Sequence, residues 1–516
     1  MNATTGRIAA DLPVRGAALA LLTLGLSLGT FIEVLDSTVA NVAVPTIAGT
    51  LGVSNSQGTW VISSYSVAAA IAVPLTGWLA KRIGEVRLFS GAVLLFTLVS
   101  MLCGLASSLH TLVILRVLQG LLSGPMVPLS QTILLRSFPS HQRGLALSLW
   151  GATVVIAPIL GPVVGGWIID TYSWPWIFYI NLPIGLFSFA VCASLLKGRE
   201  TRIEQQPIDG VGVGLLIFGV GALQMMLDLG RDRDWFASPL IVTLALVAFV
   251  CLGLLIIWEL SERHPVIDLS LFRDRTFTSC VIVICLGMLT FSTVGVIFPL
   301  WLQTVMGYSA KQAGIATSPV GLLALIVSIY IGKNMARLNL RAVVSFGFCV
   351  FAGVALWNSY FAINASFGDV VLPRFFQGIG LACFFIPLTT ATMSRIPNDR
   401  LAAASGLSNF LRTLSAAFGT AMSVTLWDNR ATYHHAELAQ SISVYAPNSR
   451  HYLDLLHAAG LGAGRDLAAI DRVVSQQAYM MATNDVFHLS AVVCLLLAGL
   501  IWLAKPAPAS GTPFGH

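Results

Sequence analysis

Charged side chains are scarce in this chain. Only 10% of its 516 residues are Asp, Glu, Lys or Arg, against roughly 25% in a soluble domain, while 56% are hydrophobic. The polar surface that several soluble domains would need is missing, and that excludes a soluble protein of this length. Ligand spacing is missing too. The eight cysteines (Cys103, Cys192, Cys251, Cys280, Cys285, Cys349, Cys383 and Cys494) all fall inside apolar blocks without a CxxC pair or a Cys/His cluster, so they read as small hydrophobes, not as disulfides or metal ligands. No GxxxxGK[ST] loop is present, which argues against ATP-driven work within the chain. A membrane-embedded enzyme such as an acyltransferase would need a clustered nucleophile or acid–base pair, and His141 and His264, the loop histidines on the side read below as cytoplasmic, have no partner motif. A receptor would want a sizeable signalling domain, and no segment on that side is long enough. No cleavable signal peptide is evident; the first apolar block is too long for one and reads as a retained helix.

What is present is apolar sequence in long blocks. Residues 17–32, 88–109 and 144–169 carry no charge at all. Each is near or above the roughly 20 residues that cross ~30 Å of hydrocarbon as a helix, and a lone strand or coil there would leave backbone groups unpaired. The chain therefore reads as an all-α polytopic membrane protein with helices near 17–40, 58–80, 87–107, 111–134, 144–168, 175–196, 209–228, 238–259, 276–302, 310–332, 341–363, 370–394, 402–427 and 486–504. Alternate loops assigned to opposite sides divide the 29 basic residues into nineteen against seven, with Arg116, Arg374 and Arg412 left inside helices. The positive-inside rule then places both termini in the cytoplasm. The net charge of +6 follows from that asymmetry and needs no nucleic-acid partner.

The chain repeats itself at a shift of 258 to 259 residues. Arg116, Gln119 and Gly120 return as Arg374, Gln377 and Gly378; Pro128-Leu129 returns as Pro387-Leu388; Arg136 and Pro139 are echoed by Arg395 and Pro397. Two parallel six-helix halves with two extra helices between them give such a shift, and duplicated bundles with a site at their interface characterise secondary transporters. The domain plan is thus 1–200, a linker pair 201–262, and 263–516. The last part includes a polar outer loop, 428–485, in which 431–443 and 465–482 are expected to be short helices separated by a turn at Pro447-Asn448-Ser449. That loop reads equally as a solvated hairpin and as a docking surface for a periplasmic partner.

Glu33 and Asp36 share a face of the first helix, followed by Ser37, Thr38 and Asn41. A carboxyl deep in the bilayer costs ~2.5–3.5 kcal/mol when charged, which favours its taking up a proton. That is the minimum needed for proton coupling. The alternative, a helix ending near Pro45 with both acids solvated at the outer interface, stays open. Arg116 stays protonated and needs a counter-charge, carbonyls or water; Asp36 or Glu33 supplies one if the first and fourth helices touch, and carbonyl packing is the other reading. The loop Gly77, Lys81, Arg82, Gly84, Glu85, Arg87 reads either as a cytoplasmic gate or as a plain turn with positive-inside charges. Pro158, Gly161, Pro162 and Gly165 predict a bent fifth helix sealed against a neighbour. Phe31, Asn41, Trp60, Tyr65, Gln119, Trp150, Phe376 and Gln377 are candidates for the wall of a substrate cavity, with lipid-facing or core packing as the plainer reading of the aromatics.

These residues resemble the major facilitator superfamily, and within it the fourteen-helix drug:proton antiporters, over nearly the whole chain. The run 35–45 resembles the family's first-helix motif, Arg116 with Gln119-Gly120 its fourth-helix motif, and Gly161-Pro162 its antiporter motif. The stretches GWLAKRIGEV (77–86), PLSQTILL (128–135), NLPIG (181–185), DLSLF (268–272) and RLAAASGLSNFLRTL (400–414) resemble inner-membrane subunits of tripartite efflux pumps. The resemblance implies a major facilitator fold with fourteen transmembrane helices in a bacterial inner (cytoplasmic) membrane. It also implies multidrug efflux of lipophilic small molecules, driven by the proton gradient without a cofactor. Asp36 and Arg116 would serve the coupling. The implied partners are a periplasmic adaptor, a membrane fusion protein of the EmrA type, and a TolC-type outer-membrane channel, with the 428–485 loop touching the adaptor. A dedicated exporter of one compound class, such as fatty acids or a siderophore, is the alternative on the same scaffold. One departure stands out: the family usually has an acid where Lys81 stands and a base where Glu85 stands, so a latch at this loop cannot use the usual acid.

Overall fold

The computed structural model describes residues 16–139, 142–201, 203, 207, 209–262, 265–335, 337–442 and 465–503, and among these there is no β-strand. Fourteen long helices carry the architecture: α1 Ala17–Leu51, α2 Trp60–Ile83, α3 Glu85–Gly104, α4 Leu109–Ser137, α5 Arg143–Thr171, α6 Trp176–Leu195, α7 Gly210–Leu229, α8 Pro239–Ser261, α9 Arg275–Thr304, α10 Lys311–Asn334, α11 Leu340–Asn358, α12 Phe367–Met393, α13 Leu401–Ser441 and α14 Arg465–Leu500. By length and composition, and among the described residues, twelve can cross a membrane, or thirteen when the two arms of α5 count as one span. The remaining helix, α13, is interrupted by polar residues such as Ser405, Ser408, Asn409 and Arg412 and does not reach that degree of apolarity. His141 and His264 lie outside the described residues.

Local chemistry sets many of the helix ends. Ser108 accepts from the Thr111 N–H at the start of α4, Asp274 from the Phe277 N–H at the start of α9, and Ser366 with Asp369 forms a reciprocal capping box at α12. Gly84, at φ +98, makes the turn between α2 and α3, and the side chain it lacks leaves room for the Glu200 carboxylate. That carboxylate accepts from the Val86 and Arg87 N–H groups and so caps α3.

Helices α1–α6 pack among themselves, as do α9–α14; the seams between these sets are α2 with α13, α4 with α13, and α5 with α10 and α12. Helix α7 lies on α2 and α13, and α8 lies chiefly on α7. Water provides no drive between helices inside a bilayer, so close approach of small residues supplies it. A Cβ on Gly120 would run into the Tyr65 carbonyl, and one on Gly378 into the Val320 carbonyl, so the repeated glycine makes the same kind of backbone contact in both halves.

Two expectations need correction. The first helix does not stop near residue 40: α1 continues through Pro45 to Leu51, because one lost backbone hydrogen bond does not outweigh the packed helix around it. This puts Asp36 near the middle of the helix, and only 3% exposed. The polar loop does not start at 428 either. Residues 428–441 are the end of α13, and the segment expected as a separate helix over 465–482 is the first half of α14. A helix of 41 residues is roughly 60 Å long, about twice the hydrocarbon thickness, so it projects beyond the bilayer. The turn at Pro447-Asn448-Ser449 lies outside the described residues.

Substituting Leu at Gly120 or Gly378 is expected to destabilise the protein by at least about 1–3 kcal/mol through overpacking, whereas Leu at Gly91 or Gly253, where an added Cβ meets nothing within 4 Å, is expected to be tolerated. Thermal unfolding in detergent checks this; equal midpoints in all four variants would contradict it.

Candidate functional site

Asp36 and Arg116 meet in the middle of the first half. Arg116, on α4, donates from Nη1 to Asp36 Oδ2 at 2.5 Å and to Gln119 Oε1 at 2.8 Å, and from Nε to the Val61 carbonyl at 3.0 Å. Gln119, one turn further along α4, donates to Asp36 Oδ1 at 3.2 Å, and Asn181 of α6 donates to the same oxygen at 2.8 Å. Asn181 also donates to Ser100 of α3, whose hydroxyl goes on to the Phe178 carbonyl. The Tyr65 ring lies 4.2 Å from the guanidinium carbon and the Phe178 ring 5.7 Å, so the cation has aromatic faces on the sides where it has no acceptor. Arg116, Gln119, Asn181 and Ser100 are fully buried. A buried ion pair is tolerable only when further hydrogen bonds complete it, and here three side chains donate to one carboxylate.

Asn181 and Ser100 were not expected from the sequence. The signal that could have found Asn181 is a single amide in the apolar stretch NLPIG; Ser100 has none, since a lone serine in an apolar helix is common. Tyr65 and Gln119, expected in a cavity wall, instead complete the Arg116 site, because an arginine in hydrocarbon draws the nearest acceptors and ring faces to itself.

The second half repeats this arrangement without its acid. Arg374 donates to Gln377 Oε1 at 2.5 Å and to the Val294 carbonyl at 3.3 Å, and stacks over Phe298 at 3.4 Å. Val294 stands 258 residues after Asp36, the shift of the repeat itself.

Glu33 lies one turn from Asp36 but outside its network. Its Oε2 is buried without a hydrogen-bond partner, and Arg412 of α13 is the cation within electrostatic reach, across the seam between the halves. Trp150 is fully buried there. Its indole N–H donates to Ser130 and Thr30, and its ring stacks on Phe385 of α12, which also lies under Arg412. Phe31 packs half-buried nearby, while Asn41, Trp60 and Phe376 are exposed, Phe376 being stacked on Trp357.

Helix α5 bends by 42° between its arms Arg143–Pro158 and Leu160–Thr171. Gly161 and Gly165 face α1, where an added Cβ would meet Thr38 and Val39 respectively. The other side of α5 meets α10: Gly144 against Gly332 and Met335, Ser148 against Gly332, and Pro162 and Val163 against Gly314.

At the 81–87 loop the halves are latched. Gly77 presses on the Ala403 backbone of α13. Glu85 pairs with Arg136 at 2.9 Å, and Arg136 donates to the Asn398 carbonyl of the other half. Lys81 lies within reach of Asp268, which pairs with Arg400 and accepts from Ser270. Burial works against the Asp268 charge, but the hydrogen bonds from Ser270 and Arg400, with the charges of Arg400 and Lys81, hold its carboxyl below the usual value. Its bonds are therefore intact at neutral pH and are lost only as pH falls through that lowered value. The familiar order of charges is reversed in this loop; Glu85 is paired with Arg136, and Lys81 acts on Asp268 only through its charge. Deeper in the seam, Gln131 accepts from Ser405 at 2.7 Å and from Asn409 at 3.1 Å. Arg82 lies over the Trp78 ring, and Arg87 is 4.0 Å from Glu200.

At the opposite end, α13 and α14 are tied together: Trp427 donates to Thr483 and its ring packs at a tilt against Tyr479, Arg430 and His434 both bond Asp485, and His435 bonds Asp471.

A lone buried arginine repeated on two bundles, an acid on the first helix and a kinked glycine–proline helix at the seam define a membrane transporter of two related halves. The Major Facilitator Superfamily model matches residues 26–420, and the chain belongs to that family. Within it, the chain is 47% identical to the multidrug export protein EmrB of Escherichia coli K12, over 98% of this chain and 97% of that one. It is 48% identical to EmrB of Haemophilus influenzae, over 98% of each. It is 46% identical to the fatty acid resistance protein FarB of Neisseria gonorrhoeae, over 97% of this chain and 98% of that one. Among solved structures, the human organic anion transporter MFSD10 superposes with a TM-score of 0.59, covering 94% of this chain and 100% of its own at 13% identity, a likeness of fold alone.

Replacing Asn181 by Ala removes one donor to Asp36 and leaves Ser100 without its amide. It is expected to cost about 1–3 kcal/mol of stability, and the double variant with Asp36→Asn is expected to lose less than the sum of the singles. Simple additivity in thermal unfolding would show that the two side chains are not coupled.

Proposed function

We propose that this protein is a proton-driven exporter of lipophilic small molecules. It spans the bacterial inner membrane fourteen times with both termini in the cytoplasm. The observation that carries this reading is the dry Asp36–Arg116 network, joined to identity with multidrug export proteins over almost the whole chain. Protonating Asp36 removes the charge that Arg116 pairs with and turns one of the two oxygens facing Arg116, Gln119 and Asn181 into a donor, and a buried pair that loses one partner costs about 3–5 kcal/mol. The proton therefore cannot bind without a rearrangement of α1 against α4 and α6, which is what coupling requires. The segment of α1 just beyond Asp36 is the one on which Gly161 and Gly165 of α5 rest, and α5 lies on the seam, so the rearrangement has a route to the seam between the halves.

Supporting fourteen spans is the continuous helix α13, which packs along α9 and α14 on one side and α2 on the other. Its Ser405 and Asn409 face the seam, where both donate to Gln131. The nineteen-to-seven division of basic residues supports cytoplasmic termini and makes the latched 81–87 face the cytoplasmic one. The paired outer ends of α13 and α14 are then periplasmic, a firm helical hairpin suited to an adaptor of the EmrA type with a TolC-type channel beyond it. The near-equal identity to a fatty acid resistance protein favours a second reading, a narrower exporter of lipophilic acids.

In proteoliposomes holding only this protein and an internal pH dye, an uncharged lipophilic substrate is expected to trigger proton movement in the wild type and none in Asp36→Asn. Undiminished coupled flux in the variant would sink the role of Asp36.

A further inference from the structure

Helix α7 belongs to neither six-helix half, yet it carries an acid that the Asp36 network does not use. Asp228 stands in the last turn of α7, at the end away from the latch. Gln224, one turn earlier and itself buried, donates to Asp228 Oδ1 at 3.0 Å, and Ser63 of α2 neighbours the same carboxylate. Asp228 Oδ2 is buried without a hydrogen-bond partner. No cation among the described residues pairs with it. Arg231 is taken by Asp428 of α13 at 2.7 Å and Arg430 of α13 by Asp485, while Asp232, Arg233 and Asp234 are exposed in the turn that follows. Helix α2 brings no charge before Lys81, at its far end, and α8 brings none between Pro239 and Trp258. Acids in membrane helices are costly, and they commonly mark proton and substrate paths.

Helix α2 lies between α7 and α4. The outer turns of α2 that set Ser63 beside Asp228 also give the Val61 carbonyl to Arg116 Nε and the Tyr65 ring to that guanidinium. One helix, about 10 Å across, thus separates Asp228 from the Asp36 network. The hydroxyls of Ser64 and Tyr65 sit on those turns, buried without hydrogen-bond partners. The two acids differ in what holds them. Asp36 faces donors that include a permanent cation, so a proton there breaks a pair. Asp228 is held by an amide and flanked by a hydroxyl, groups that donate to a carboxylate and, turned over, accept from a carboxylic acid. It can gain and lose a proton without the rearrangement that Asp36 demands.

We propose that Asp228 is the landing site for protons entering from the outer face, which it passes across the outer turns of α2 to Asp36. In that step the Asp228 O–H bond breaks and an Asp36 O–H bond forms, and the Asp228 carboxylate takes the next proton from outside water. This rests on the proton-driven reading and gives it an entry route through a linker helix.

The test uses full-length protein in proteoliposomes with a pH dye inside and an uncharged lipophilic substrate. Asp228→Asn keeps the side-chain shape and cannot carry the proton. A landing site matters most where protons are scarce, so this variant is expected to lose coupled proton flux about 10-fold or more at an outside pH of about 8, and much less at about pH 6. Asp228→Glu is expected to restore the flux at both. Ser63→Ala leaves the acid in place; it is expected to show the same pH-selective loss in smaller measure, and it keeps the proposal testable if Asp228→Asn does not fold. Equal loss at both pH values would make Asp228 a structural residue, and unchanged flux at both would make it a bystander; either overturns the proposal. Infrared difference spectra on acidification separate the two levels: a carboxyl band lost in Asp228→Asn and kept in Asp36→Asn is expected. Spectra identical in wild type and Asp228→Asn remove the landing site alone. Absent flux in the wild type removes the export reading, and the band then still decides whether Asp228 takes up a proton.

Discussion

An ion pair that no water reaches has to be completed by protein, and the first half of this molecule is arranged around that requirement. Asp36 takes hydrogen bonds from α4 and α6, while Arg116 takes the carbonyl of Val61 from α2 and the ring faces of Tyr65 and Phe178. Four helices are therefore fixed in register by two charges. A looser arrangement would leave the carboxylate short of its donors at a cost of about 1–3 kcal/mol per group, on top of Arg116 Nη2 and Asn181 Oδ1, which lack a hydrogen-bond partner already. Three donors aimed at one carboxylate suit its charged form and not its protonated one.

The parts of this arrangement that were legible in the sequence are those that violate the membrane's rule. An aspartate, an arginine and a glutamine in apolar helices stand out because hydrocarbon penalises them, and their repetition at 258 residues marks two halves. The residues that answer them were not legible. Asn181 and Ser100 are ordinary in isolation, and their role depends on α6 and α3 arriving beside α1. Helix ends were read poorly for a related reason. Composition turns polar at 428, but α13 and α14 go on helically because they pack on each other through Trp427, Tyr479 and Asp485 once they leave the apolar region. Pro45 misled in the same way: a breaker in isolation, it is carried by a helix held on several sides.

The latch at residues 81–87 shows that charge order matters less than partner supply. Lys81 and Glu85 stand in the reverse of the family's usual order. Even so, Glu85 finds Arg136, which reaches across to the Asn398 carbonyl, and Lys81 faces Asp268. Coulomb attraction at such a partly exposed interface is modest and tolerant of geometry. The shape constraint is stricter, since Gly77 leaves no room for a side chain against Ala403 and a substitution there cannot be answered by moving a charge.

Duplication explains why the second half keeps an arginine at all. Arg374 and Gln377 occupy the positions of Arg116 and Gln119, and Gly378 presses on a carbonyl just as Gly120 does. Valine stands where the first half has its acid, while the cation, its glutamine and an aromatic neighbour, Phe298, are present. The two halves thus differ in one term of the same constellation. In the first, the counter-charge is built into the chain and a proton can neutralise it. In the second, no carboxylate among the described residues pairs with Arg374, whose acceptors are Gln377 and the Val294 carbonyl.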